Sequence, residues 1–128
     1  LDEAIGAKPD ELIRMALIRG IIMENFAVRK KDRSHKDEYF MTGLFSLADA
    51  IMDASIEDIM EETHLSPEIC EPLITKQGER ADFIKIISHM EQAEWDDAAV
   101  IASRYGMGEE EISNCYLEAI LYANRIIA

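Results

Sequence analysis

Along this chain apolar residues return every three or four positions, and no segment alternates with a period of two. The densest run is Tyr39–Met52, where Phe40, Leu44, Leu47, Ala48 and Ile51 keep helical spacing and Met41, Phe45 and Met52 fill an adjoining stripe. A helix apolar over so much of its girth is expected to be buried among others, as the central rod of a helical domain. Ser34 followed by Asp37 resembles a capping box that would start it. Gly43, in its interior, costs about 1 kcal/mol relative to Ala, which points to close approach of a neighbouring helix.

The first helix is expected to open at Pro9-Asp10-Glu11, with proline in the first turn and acids at the positive end of the helix dipole. Leu12, Met15, Ala16, Ile22, Met23 and Phe26 form its inner face, and Arg19 falls on that same face. An unpaired buried charge is very costly. Arg19 therefore pairs with an acid, for which Asp49 is the candidate, or reaches solvent along its aliphatic stem. Downstream, Ser55 with Asp58 opens a short helix, and Ser66-Pro67-Glu68 opens another that Pro72 should kink or shorten. Phe83, Ile84, Ile86, Ile87 and Met90 mark a further helix, with a pause at Glu94-Trp95-Asp96. The next helix stops at Gly106, and Gly108-Glu109-Glu110-Glu111 starts the last. With no Asn-Gly or Asp-Gly hairpin signal, the pattern predicts an all-α, compact multi-helix bundle of about seven helices.

Length, composition and charge narrow the role. At 128 residues this is one domain by the usual length prior, with an ordinary soluble balance of 48% hydrophobic and 30% charged residues. The formal charge of −13 argues against a nucleic-acid or anionic-membrane partner, because phosphate binding needs clustered Lys and Arg. No apolar run approaches the ~18 residues a membrane span requires. Cys70 and Cys115 lie in helical segments without CxxC spacing, as expected of buried free thiols in a reducing cytoplasm. The start at Leu1 suggests a portion of a longer chain.

Chemistry finds little purchase. His35, His64 and His89 have no second His or carboxylate at a spacing that makes a metal site, and 26 acids supply neighbours such as Glu91 by chance. No GxSxG elbow, Walker loop or GxGxxG is present. Arg14, Arg19, Lys85 and Arg104, the cations a nucleotide pocket would need, do not cluster in the sequence. No catalytic residue, no metal ligand and no cofactor are expected.

The runs Ala16-Leu17-Ile18-Arg19-Gly20 and Tyr39–Asp49, with Gly43-Leu44-Phe45-Ser46-Leu47 at its centre, resemble the HDOD domain. More narrowly, they resemble the version that follows an EAL domain in bacterial EAL–HDOD signalling proteins. Leu65–Ile69, Met90–Trp95 and Tyr116–Ala119 also fit, so the likeness runs from about Pro9 to Ile126, as the C-terminal portion of such a domain. HDOD domains share the HD phosphohydrolase fold but are regarded as non-catalytic output modules. By that resemblance the metal-binding His-Asp pair falls on Ser46 and Leu47, and an earlier metal-ligand His falls near Arg19. Neither a hydroxyl nor an isobutyl group replaces those ligands, and a fixed cation repels the metal. The resemblance implies a signalling module acting through protein contacts: with its own upstream EAL domain, with a separate partner or in a homodimer. The parent chain would bind or hydrolyse cyclic di-GMP. The alternative is a metal-dependent phosphohydrolase on an HD-like fold. Missing upstream helices would leave an apolar patch along the first helix or drive dimerisation.

Overall fold

A computed structural model describes residues 8–127, and among these the chain is all-helical, with eight α-helices and one 3₁₀ turn. In chain order they are α1 (Pro9–Arg29), the 3₁₀ turn (Arg33–His35), α2 (Lys36–Phe45), α3 (Ala48–Met52) and α4 (Ile56–Thr63). They continue with α5 (Pro67–Thr75), α6 (Glu79–Glu91), α7 (Trp95–Ser103) and α8 (Glu109–Ile126).

The central element is α1 rather than the Tyr39–Met52 run. Pro9 fills its first position, Asp10 and Glu11 sit in the first turn and Arg29 in the last, each where the dipole favours it. It buries Leu12, Ala16, Arg19, Met23 and Phe26 on one stripe and Ile18 and Ile22 beside it, and it packs against α2, α6 and α8. The expected central rod is instead broken at Ser46-Leu47 into α2 and α3. Ser46 N–H and its Oγ both donate to Gly43 O, at 3.2 and 2.6 Å, tightening the last turn of α2 until the chain leaves the helix. Only Tyr39, Thr42, Gly43 and Ala48 are buried within these two helices; Phe40, Met41, Leu44 and Phe45 are half-buried, and Ile51 and Met52 are exposed. Ile51 and Met52, with Ile13 of α1, border an almost wholly apolar depression with Leu44, Phe45 and Ala48. The first helix contributes only Ile13 and Ala16 to this depression, which belongs mainly to α2 and α3.

The glycine inference holds. A Cβ on Gly43 would lie 2.6 Å from Arg19 O and 2.8 Å from Gly20 Cα, while one on Gly20 would meet Phe40 at 3.0 Å. Helices α1 and α2 thus cross backbone to backbone. Around this crossing Phe26, Phe83 and Tyr105 stack edge to face at 5.2 Å, with Tyr39 6.1 Å from Phe83. Helices α6 and α7 form a hairpin that α8 closes with Ile112, Cys115, Ala119 and Ala123, whereas α4 and α5 lie outside and bury only Ile59, Ile69 and Cys70. Burial pushes the thiols of Cys70 and Cys115 up, and both are free.

Several boundaries differ from expectation for one reason. Asp53, His64 and Lys76 end α3, α4 and α5 in the left-handed conformation (φ 51°, 55° and 58°), where sequence reading looks for glycine. Ser55 caps α4 as expected, its Oγ accepting from Asp58 N–H at 3.1 Å. Ser34 does not cap α2: the 3₁₀ turn intervenes, and His35 Nδ1 pairs with Asp32 Oδ1 at 2.6 Å.

The Tyr39 hydroxyl donates to Glu79 at 2.8 Å, and the Tyr105 hydroxyl donates to Asp82. Burial first, and the neighbouring carboxylate second, push both phenols from 10.0 up to about 12. The fold favours the neutral phenol, so the stability these groups confer is complete below pH 10 and is lost as pH rises toward about 12. In a tyrosinate titration followed residue by residue, Tyr39 and Tyr105 should ionise late, and the melting temperature should fall across the same window. Ionisation of Tyr39 and Tyr105 near pH 10 would contradict this packing.

Candidate functional site

The position where the HD resemblance puts a metal centre is occupied by an arginine network. Arg19 is 1% exposed, held on α1 at the helix crossing. Its Nε donates to Glu91 Oε2 at 2.9 Å and one terminal nitrogen to Glu91 Oε1 at 2.6 Å, a bidentate fork in which the carboxylate is itself 7% exposed. The other terminal nitrogen donates to Ser46 Oγ at 3.1 Å, and that hydroxyl in turn donates a hydrogen bond to Gly43 O. One guanidinium thereby ties together the middle of α1, the end of α2 and the end of α6.

This corrects the Arg19–Asp49 pair. Asp49 is exposed in the first turn of α3, where its Oδ1 accepts from Ala50 N–H at 2.9 Å. Breaking the rod at Ser46-Leu47 turns Asp49 out of register with α1, and Glu91 takes the pairing from the other side. The snorkelling alternative fails with it, since Arg19 is enclosed. Glu91 had a legible signal: it continues Phe83 and Ile87 at four-residue steps, which puts it on the inner face of α6.

Ser46 and Arg19 are thus brought together, whereas Leu47, fully buried, clusters with Leu12 and Ala16. A metal centre of the HD kind is built on imidazole and carboxylate donors. This centre offers a hydroxyl, an aliphatic group and a cation; its buried carboxylate, Glu91, is saturated by that cation and Asp49 stands exposed at the cleft, so the residues do not fit a metal. Arg19 and Ser46 form the floor of a cleft of about 230 Å³ walled by Ile56, Pro72, Leu73 and Ile84, with Asp49, Lys76 and Lys85 among its rim residues. Lys85 Nζ is engaged there with Lys76 O at 3.1 Å and Asp82 at 3.6 Å. Arg14 lies elsewhere, donating to Asn124.

Among the described residues one group, His89, Glu94 and Asp97, brings three ligand-type side chains within 4.8 Å of one another. His89 is in the last turn of α6, and Glu94 and Asp97 lie at the start of α7. Acids at the start of α7 suit its helix dipole, and His89 Nδ1 already lies 2.8 Å from Glu94 Oε1, so helix termini account for the grouping.

The chain is 26% identical over 123 residues to the cyclic di-GMP phosphodiesterase CdgJ of Vibrio cholerae serotype O1, covering 94% of this chain and 28% of that protein. It is distantly similar to a cyclic di-GMP enzyme. It is also 29% identical over 117 residues to the uncharacterized protein YuxH of Bacillus subtilis (strain 168), covering 91% of this chain and 28% of YuxH. The chain spans 28% of the length of both relatives. No family model matches it, and no solved structure matches it. No helix among the described residues is long and apolar enough to cross a membrane.

Proposed function

We propose that this chain is a non-catalytic signal-transduction module of the HDOD kind, working through protein contacts in a cyclic di-GMP-related EAL–HDOD protein of the bacterial cytoplasm. The observation that carries the reading is the Arg19–Glu91–Ser46 network, a satisfied structural ion pair where a phosphohydrolase of this fold would hold its metal. The similarity to CdgJ along nearly the whole chain supports the cyclic di-GMP link. The module would report to an EAL domain elsewhere in its own polypeptide, to a separate protein or to a second copy, while cyclic di-GMP chemistry stays with the EAL domain.

The test is metal analysis with turnover. After purification with Mn²⁺, Fe²⁺ or Zn²⁺ the protein should retain substoichiometric metal and hydrolyse neither a generic phosphodiester nor cyclic di-GMP. Stoichiometric metal together with turnover abolished by Ser46→Ala would overturn the reading in favour of a phosphohydrolase.

A further inference from the structure

Helices α1 and α8 leave a trough between them, closed at one end by the start of α2. Its floor is Leu17, Ile21, Phe40, Tyr122 and Ile126, and two depressions of about 500 and 400 Å³ join through Ile21, Glu24 and Tyr122. Tyr122 and Ile126 are 47% and 55% exposed, so this apolar surface stands open. The α1 side runs from Leu17 to Asn25, eight residue steps or about 12 Å, which is roughly two helical turns. A docked helix of that reach presents three apolar anchors at i, i+3 or i+4, and i+7.

Charge selects among occupants. Glu24, Asp37 and Glu118 line the trough, and its one cation, Arg125, lies over the Tyr122 ring at 5.7 Å. A second copy would bring the same acids to the same rim, on a chain of formal charge −13. A basic partner gains from both.

The geometry points to a docking site for a basic amphipathic helix, its apolar stripe in the trough and its Lys or Arg flanks against Glu24, Asp37 and Glu118. This rests on the interaction-module reading and names the kind of partner that module takes.

The probe is a synthetic two-turn amphipathic peptide with Leu anchors and Lys flanks, compared with its Glu-flanked isostere by calorimetry and amide chemical shifts. The Lys peptide should bind, more weakly as salt rises, with shifts at Ile21, Phe40 and Tyr122. The variant Asp37→Lys/Glu118→Lys should lose about tenfold in affinity. A charge-matched control on α4, Glu61→Lys/Glu62→Lys, should lose little, which separates rim pairing from attraction to an acidic surface.

Equal loss in the two variants, equal binding of the Glu-flanked isostere or shifts away from the trough would overturn the proposal. So would sedimentation equilibrium in which the protein self-associates and Tyr122→Lys restores the monomer, since the occupant is then a second copy. Failure of the peptide with no metal-dependent turnover removes the trough and leaves the module reading standing. Metal-dependent turnover removes the module reading whatever the peptide does.

Discussion

Replacing Glu91 by Ala is expected to cost about 3–5 kcal/mol of folding stability, because it strands the Arg19 guanidinium without its counter-charge in a site only 1% exposed. The Arg19–Glu91 pair joins elements 72 positions apart in the chain, so its loss loosens α6 against α1 as well as leaving a charge unsatisfied. Chemical denaturation should show the midpoint falling with an unchanged slope. The double variant Arg19→Met/Glu91→Leu is the informative companion. It removes both charges at similar volume, leaves Ser46 Oγ bonded to Gly43 O, and should recover most of the loss. A single variant as stable as the parent would mean that Arg19 finds another acid or reaches water. The buried network would then be no obstacle to a metal.

Gly43→Ala is the second large effect. In an ordinary helix interior the substitution gains about 1 kcal/mol. Here the new methyl would sit 2.6 Å from Arg19 O and 2.7 Å from Arg19 C, backbone atoms with no flexible tail to swing aside. Helices α1 and α2 must separate, so the expected result is a net loss of about 2 kcal/mol or more, against the propensity gain. Gly20→Ala meets Phe40 Cε2 and Cδ2, which can shift, and Phe40 O, which cannot, both from 3.0 Å. It should therefore cost less than Gly43→Ala. Thermal unfolding of the two variants side by side reads the order directly, and a stabilised Gly43→Ala would refute the backbone crossing.

Both effects lie at the junction where the resemblance to HD enzymes placed catalytic machinery. There the residues hold the helices together and leave no donor set for an ion. A separate surface, the trough between α1 and α8, carries the open apolar area and the acidic rim that an interaction module needs.

The periodicity of the chain was enough for the all-helical class, for the inner faces of α1 and α6, for the Ser55 cap and for the tight approach at Gly43. Those features depend on spacing along one helix or on backbone chemistry, which a linear pattern carries. Three matters were decided only in three dimensions. The Tyr39–Met52 run breaks in two because the Ser46 hydroxyl, close to the Arg19 guanidinium, turns back onto Gly43 O. The partner of Arg19 is Glu91 rather than Asp49: spacing puts Glu91 on the inner face of α6, but only the packing of α6 against α1 brings that face to Arg19. Helices end at Asp53, His64 and Lys76 without glycine, each exposed left-handed residue donating its N–H to a carbonyl of the last turn (Asp49 O, Met60 O and Pro72 O), a closure that residue type alone does not announce.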